Sequence, residues 1–235
     1  MKRNLFIVIA TLFCSAILFS ACSKDQNSSD AKLTYKLEPA NLTASVGASI
    51  SESGLNVIIN SNSSLTWNGG YVTISQLNFK AKKDDSEIEY KLPKQTTIDF
   101  FQENHEFGSV NIAPGTYDEV ELKLVLKKQT TGNVFALSGD YKNELGQKTP
   151  VEFNYNEDLS LNIKAEDLTV TTSEDYTGLL TLQLNKLLSG VSSSDFKSAA
   201  KDSNGRIVIS NTSNVQLFNK LKAGVAALVK AEFKS

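Results

Sequence analysis

The chain has 235 residues, with 24 basic against 26 acidic side chains and a formal net charge of −2. It carries no long basic block, which argues against nucleic acid as a partner. Four prolines and thirteen glycines are too few for a low-complexity chain, and the length suits one larger β-type domain or a sandwich with a helical appendage.

Lys2 and Arg3 open the chain, residues 5–19 follow without a charge, and Ser20 and Ala21 put small side chains before Cys22. A positive start, an apolar run and a small-residue cleavage site make an export signal. The run is shorter than the roughly 20 residues a membrane-spanning helix needs. It is also apolar all round, whereas a helix packed on a core shows a stripe. Phe19-Ser20-Ala21-Cys22 resembles a bacterial lipobox, with phenylalanine where leucine is commoner. In a lipobox the thiol is acylated with fatty chains such as palmitate and the chain is cut just before the cysteine. Each buried methylene contributes about 0.8 kcal/mol, and two or more chains hold stably. An ordinary export signal with an incidental cysteine is the alternative.

The expected order is a lipoprotein signal peptide over 1–21, lipidation at Cys22, and a flexible tether over 22–32. The tether, "CSKDQNSSDAK", is polar and lacks an apolar period. Ser23-Lys24-Asp25 resembles short charged signals that send some lipoproteins to the outer face of the cell, and a simple solvated linker reads equally well. Cys14 falls in the discarded segment, so the body has neither thiol nor disulfide and depends on a packed core.

Alternation with period two dominates residues 33–190, the predicted β-sandwich domain. In "EVELKLVL" Val120, Leu122, Leu124 and Leu126 point one way while Glu119, Glu121 and Lys123 point the other. Leu159, Leu161, Ile163 and Ala165 repeat the pattern, as do Val151, Phe153 and Tyr155. One wet and one dry face is the signature of antiparallel sheets. Further strands are predicted over 33–37, 55–60, 71–82, 88–92, 133–137 and 179–184. Turns are predicted at Asn68-Gly69-Gly70, Pro114-Gly115, Thr131-Gly132-Asn133 and Gly139-Asp140. Many short strands at this spacing indicate a sandwich or barrel; the expectation is a mainly β fold, an antiparallel β-sandwich with a C-terminal helical segment packed on it.

That segment is 191–235. A short helix over 194–201 opens at Ser193 or Ser194, a small strand over 206–210 follows the Asn204-Gly205 turn, and Ser213 caps a longer helix to about 233. Val215, Phe218, Leu221, Val225, Leu228 and Val229 form its apolar stripe, which should pack on the sheet. A membrane-surface helix is the alternative, though its polar face carries few charges for that role.

Reactive constellations are sparse. His105 is the only histidine; it sits in "FQENHEFG" without a partner motif and reads as a loop residue in water. Asp84-Asp85, Glu157-Asp158, Glu166-Asp167 and Glu174-Asp175 form acidic pairs. Two carboxylates about 5–10 Å apart hydrolyse glycosides, and clustered oxygens hold calcium. Neighbours on a strand point to opposite faces, so these acids read as solvated turn residues. No catalytic residue, metal site or cofactor is expected. Trp67 and Tyr71 flank the predicted Asn68-Gly69-Gly70 turn and are the candidate ligand-binding residues, since exposed rings stack on sugars. A core position for Trp67 is the competing and favoured reading.

The lipobox end, "LTWNGGYVTISQLNFKAKKDDSEIEYK" and "SVNIAPGTYDEVELKLVLK" together resemble a group of uncharacterised lipoproteins of the Bacteroidota, whose sandwich domain is transthyretin-like in broad outline. The resemblance implies a fold and an address, and it carries no catalytic residues. The expected function is a non-enzymatic, lipid-anchored binding or assembly module at the outer membrane, on its periplasmic face or the cell surface. Its partners would be the membrane, through the lipid, and a glycan or envelope protein. The alternatives are a carboxylate-based glycoside hydrolase or lyase and a structural, fimbria-like surface component.

Overall fold

A computed structural model describes residues 30–47, 62–84, 86–91, 95–103, 106–165, 167–172 and 174–234. The predicted signal peptide, Cys22, most of the tether, the predicted strand over 55–60 and His105 lie outside these residues.

In chain order the first strands are β1 (Ala31–Ala40), β2 (Thr43–Ser45), β3 (Ser64–Ile74), β4 (Gln76–Lys83), β5 (Ser86–Lys91), β6 (Thr96–Asp99) and β7 (Glu106–Ile112). Next come β8 (Gly115–Tyr117), β9 (Glu119–Leu126), β10 (Phe135–Lys142), β11 (Lys148–Tyr155), β12 (Leu159–Ala165), β13 (Leu168–Val170) and β14 (Tyr176–Gln183). A 3-10 turn (Leu184–Leu188), helix α1 (Ser193–Ser198), strand β15 (Ile207–Ile209), helix α2 (Val215–Val225) and strand β16 (Val229–Lys234) complete the chain.

The alternating sequences become half-buried strands. In β9, Val120, Leu122, Leu124 and Leu126 are buried while Glu119, Glu121 and Lys123 are exposed. Two four-stranded sheets result, ordered β16-β14-β1-β7 and β12-β9-β4-β5. They pack face to face as a sandwich: Tyr35 of β1 lies 6.0 Å from Phe79 of β4, and Phe79 lies 6.3 Å from Phe233 of β16. A third sheet, β15-β11-β10-β3-β2 with β6 beside β3, carries the helices. Phe218 of α2 sits 6.0 Å from Phe153 and 6.2 Å from Tyr155, and Phe196 of α1 stacks 4.3 Å from Tyr141. One continuous hydrophobic cluster runs through these three sheets and the two-stranded sheet β13-β8.

β3 and β4 join the third sheet to the sandwich. The predicted strand over 71–82 is the second half of this longer run, which bends at Ser75. There the Ser75 N–H donates to the Val125 carbonyl at 2.9 Å, and its Oγ accepts from the Lys127 N–H at 3.1 Å. The spine from Ser64 to Lys83 spans about 65 Å at the usual strand rise. Two of the sheets are mixed, since β1 with β14 and β11 with β15 are parallel pairs, whereas β12-β9-β4-β5 is antiparallel throughout.

Two predicted turns are strand interior. Asn68-Gly69-Gly70 lies inside β3 and Gly139-Asp140 inside β10, and they face one another: Gly69 pairs with Ser138, Gly70 with Leu137, and Trp67 with Gly139. The register slips between Ser138 and Gly139, which makes Asn68 the extra residue of a bulge. A Cβ on Gly139 would meet the Thr66 carbonyl and the indole of Trp67. These glycines let the strands close around a large ring, as strand glycines do where backbones approach.

The C-terminal helix is shorter than its stripe predicts. α2 follows Asn214, held left-handed at φ 50°, and not Ser213; α1 begins at Ser193, with Ser192 and Asp195 forming its capping box. The chain leaves the helix after Val225, and residues 229–234 pair with β14 as β16. Helix propensity is a weak prior that tertiary pairing overrides, and here it yields to six residues of ladder along β14 and a place for Phe233 against Phe79. Strands β6, β7 and β13 were not among the predicted ones.

Strand direction gives the molecule two poles. At one, Ala31 pairs with Ile112, Leu33 with Tyr176 and Thr177 with Lys234. Residue 30 and the end of β16 therefore share this pole. At the other lies the β10–β11 hairpin tip, where the Asn143 side chain accepts from the N–H groups of Leu145 and Gln147 at 3.0 and 2.9 Å.

Candidate interaction surface

Trp67 lies in the core, 2 % exposed. Its ring has no free face for a sugar, so the stacking role drawn for it does not hold. Its Nε1 is buried with no hydrogen-bond partner among the described residues. Tyr71 is half-buried next to the buried Val72 on the same strand, hence on the opposite face. The bulge at Asn68 separates Trp67 from Tyr71, and the two do not form one platform. Tyr117 and Tyr141 are buried too, and Tyr117 Oη donates to the Ala113 carbonyl at 2.8 Å.

Asp85 and Glu166 lie outside the described residues; the partners found for the described members of the acidic pairs are structural. Glu157 and Asp158 occupy the turn between β11 and β12; Glu157 pairs with Lys222 of α2, and Asp158 accepts from the Lys128 N–H at 2.8 Å and Lys127 Nζ at 3.3 Å. These donors, the Lys128 amide first, hold the Asp158 carboxyl below the usual range. Asp175 accepts from the Lys32 N–H at 3.3 Å at the residue-30 pole. Among the described residues, no group of three His, Cys, Asp or Glu side chains is placed to hold a metal ion.

The sandwich's two flanks hold a different kind of surface. On one flank β12 and β16 are the last strands of facing sheets, and no described strand pairs with their outer edges. A groove of about 650 Å³ runs between them, lined by Ile163, Val229, Ala231 and Phe233 together with Asn162 and the charged Lys164, Asp167, Lys230 and Glu232. On the other flank β5 and β7 are the outermost strands, and Tyr90 and Phe107 both pack on Tyr35 at 6.1 Å. Ile88, Tyr90, Val110, Leu159, Ile163, Val229, Ala231 and Phe233 are apolar side chains only partly buried against the core. All eight lie on these four edge strands, where the sandwich is open at its sides.

Sequence reasoning missed the second edge of the groove because it read residues 229–234 as helix. The signal was present: Val229, Ala231 and Phe233 alternate with Lys230, Glu232 and Lys234.

A second groove, about 660 Å³, opens between β2 and the 3-10 turn, lined by Asn41, Thr43, Ser45, Asn185, Ser189 and Ser192 among others. Asn41 Nδ2 donates to Asn185 Oδ1 at 3.1 Å. Among the described residues, amides and hydroxyls dominate its polar lining, Lys186 is its one charged group, and no carboxylate lines it.

Comparison with protein-family models, with curated proteins and with solved structures finds no match to this chain.

Proposed function

We propose that the chain is a lipid-anchored envelope protein of the outer membrane that works as a non-enzymatic binding or assembly module. The lipobox-like Phe19-Ser20-Ala21-Cys22 supplies the anchor, and the polar stretch after it the tether. The observation that carries the module reading is the pair of open flanks, where unpaired strand edges and half-buried apolar side chains coincide. Such edges template pairing with another chain. The amide- and hydroxyl-lined groove beside β2 favours a glycan as a second class of partner, because neutral hydrogen-bonding groups outnumber its one described charge, Lys186. A carboxylate enzyme draws no support from acids held by lysines and turn amides.

Mass spectrometry of the native protein tests the anchor: Cys22 should be the first residue and carry acyl chains, and an unacylated chain retaining Met1 overturns it. Binding is tested separately on immobilised envelope glycans. Specific binding that Asn41→Ala or Asn185→Ala abolishes supports the glycan arm, and binding unchanged by either removes it.

A further inference from the structure

The two flanks are complementary to one another. In the sheet β12-β9-β4-β5 every neighbour is antiparallel, so β12 and β5 run in opposite directions. A second copy displaced sideways without rotation therefore brings its β12 antiparallel to β5 of the first, which is the pairing the sheet already uses. One register sets Ile88 opposite Ile163 and Tyr90 opposite Leu161 on the inner face. It also sets Glu87 opposite Lys164, Glu89 opposite Asn162 and Lys91 opposite Ser160 on the outer face. No like charges meet, and the apolar residues left half-buried on each flank cover one another. The same displacement carries Val110 of β7 toward Val229, Ala231 and Phe233 of the next copy's β16.

We infer that this protein assembles side by side with further copies of itself, the β5 edge of one against the β12 edge of the next. The inference rests on the module reading and names the partner: a second copy of this chain. A contact between two different patches is heterologous and repeats until it closes or runs on as a filament. Geometry at the anchor selects it over a two-fold dimer. Antiparallel pairing of β5 with β5 would turn one copy end for end and put the two residue-30 poles on opposite sides. Sideways displacement keeps every residue-30 pole on one side, as tethers in a single membrane require.

The body has no cysteine beyond residue 22, so introduced thiols report the contact directly. Glu87→Cys and Lys164→Cys are outward, exposed positions, and directly opposed strand residues come within disulfide range. With the full-length protein in native membranes under mild oxidation, the double variant should give a ladder of dimers, trimers and higher species. Either single variant alone should stay uncrosslinked, and the two singles co-expressed should give dimers only. Lys164→Glu placed with the nearby Asn162→Cys, tested against Glu89→Cys, should remove the crosslink, and adding Glu87→Lys should restore it. No ladder from a double variant that reaches the membrane at the wild-type level overturns the inference, and so does a ladder from one single variant. Glycan binding by a wild-type protein that gives no ladder would leave the module reading standing and remove only self-assembly.

Discussion

The two halves of this molecule finish their sheets differently. Around the third sheet the chain supplies its own cover: α2 and α1 lay Phe218 and Phe196 on Phe153 and Tyr141. Gly224 brings α2 so close to the 3-10 turn that a side chain there would collide with the Lys186 carbonyl. Among the described residues the sandwich has no such cover. Its outer face carries cross-strand pairs such as Lys80–Glu87 at 3.0 Å and Lys164–Glu121 at 3.8 Å, and no described strand pairs with the edges of its flanks. The helical half is sealed by packing, whereas the sandwich half ends in strand edges that no described strand covers.

Trp67→Ala is the strongest way to break this contrast. Removing the ring from its glycine-lined slot should cost about 3–5 kcal/mol. Because one cluster joins the three sheets, thermal unfolding should shift as a single transition; two separated transitions would show that the halves fold independently. Gly224→Ala should cost about 1–3 kcal/mol through overpacking, read as a lower denaturant midpoint. Tyr35→Phe should go the other way. Tyr35 Oη is buried without a partner among the described residues, so removing it should be neutral or stabilise by up to about 1 kcal/mol. Lys82→Ala, which loses an exposed pair at 3.9 Å with Glu119, should change stability by less than about 1 kcal/mol.

Acid sharpens the comparison from another side. Hydrogen bonds from Lys197 lower Glu144, the amide of Lys128 lowers Asp158 and the amide of Arg206 lowers Asp202. At Asp195 burial opposes the shift, and the Lys220 and Ser192 hydrogen bonds outweigh it. In the sandwich Lys230 lowers Glu232. A depressed folded-state value means stability that is present above the unfolded carboxyl range near 4 and lost as pH falls through the folded value. Four of these five acids border the helical half, so amide exchange on lowering the pH below about 4 should rise there before it rises in β1, β4, β9 and β14.

Strict alternation made β9 and β12 legible to the residue, because one face meets the core and the other meets water. The glycines of β3 and β10 were opaque for a physical reason: a glycine that frees a turn and one that admits a tryptophan look alike until the facing strand is known. β16 was hidden by a conflict of scales. Its alanine, lysines and glutamate favour helix locally, while the open side of β14 and the ring of Phe79 draw it into a sheet. The edge surface was half legible: β5 and β12 were both predicted as strands, and their position at opposite rims is set by long-range pairing that local pattern does not encode.

The placement of β1 has a mechanical consequence. β1, the first described strand, lies between β14 and β7, paired with β14 from Leu33 to Ala40 and with β7 from Ala31 to Lys36. A pull on the N-terminal side of β1 would load those ladders lengthwise, in shear, so many hydrogen bonds would yield together instead of unzipping singly. A body hung from a fluid bilayer by this strand would resist drag at the point where the force enters.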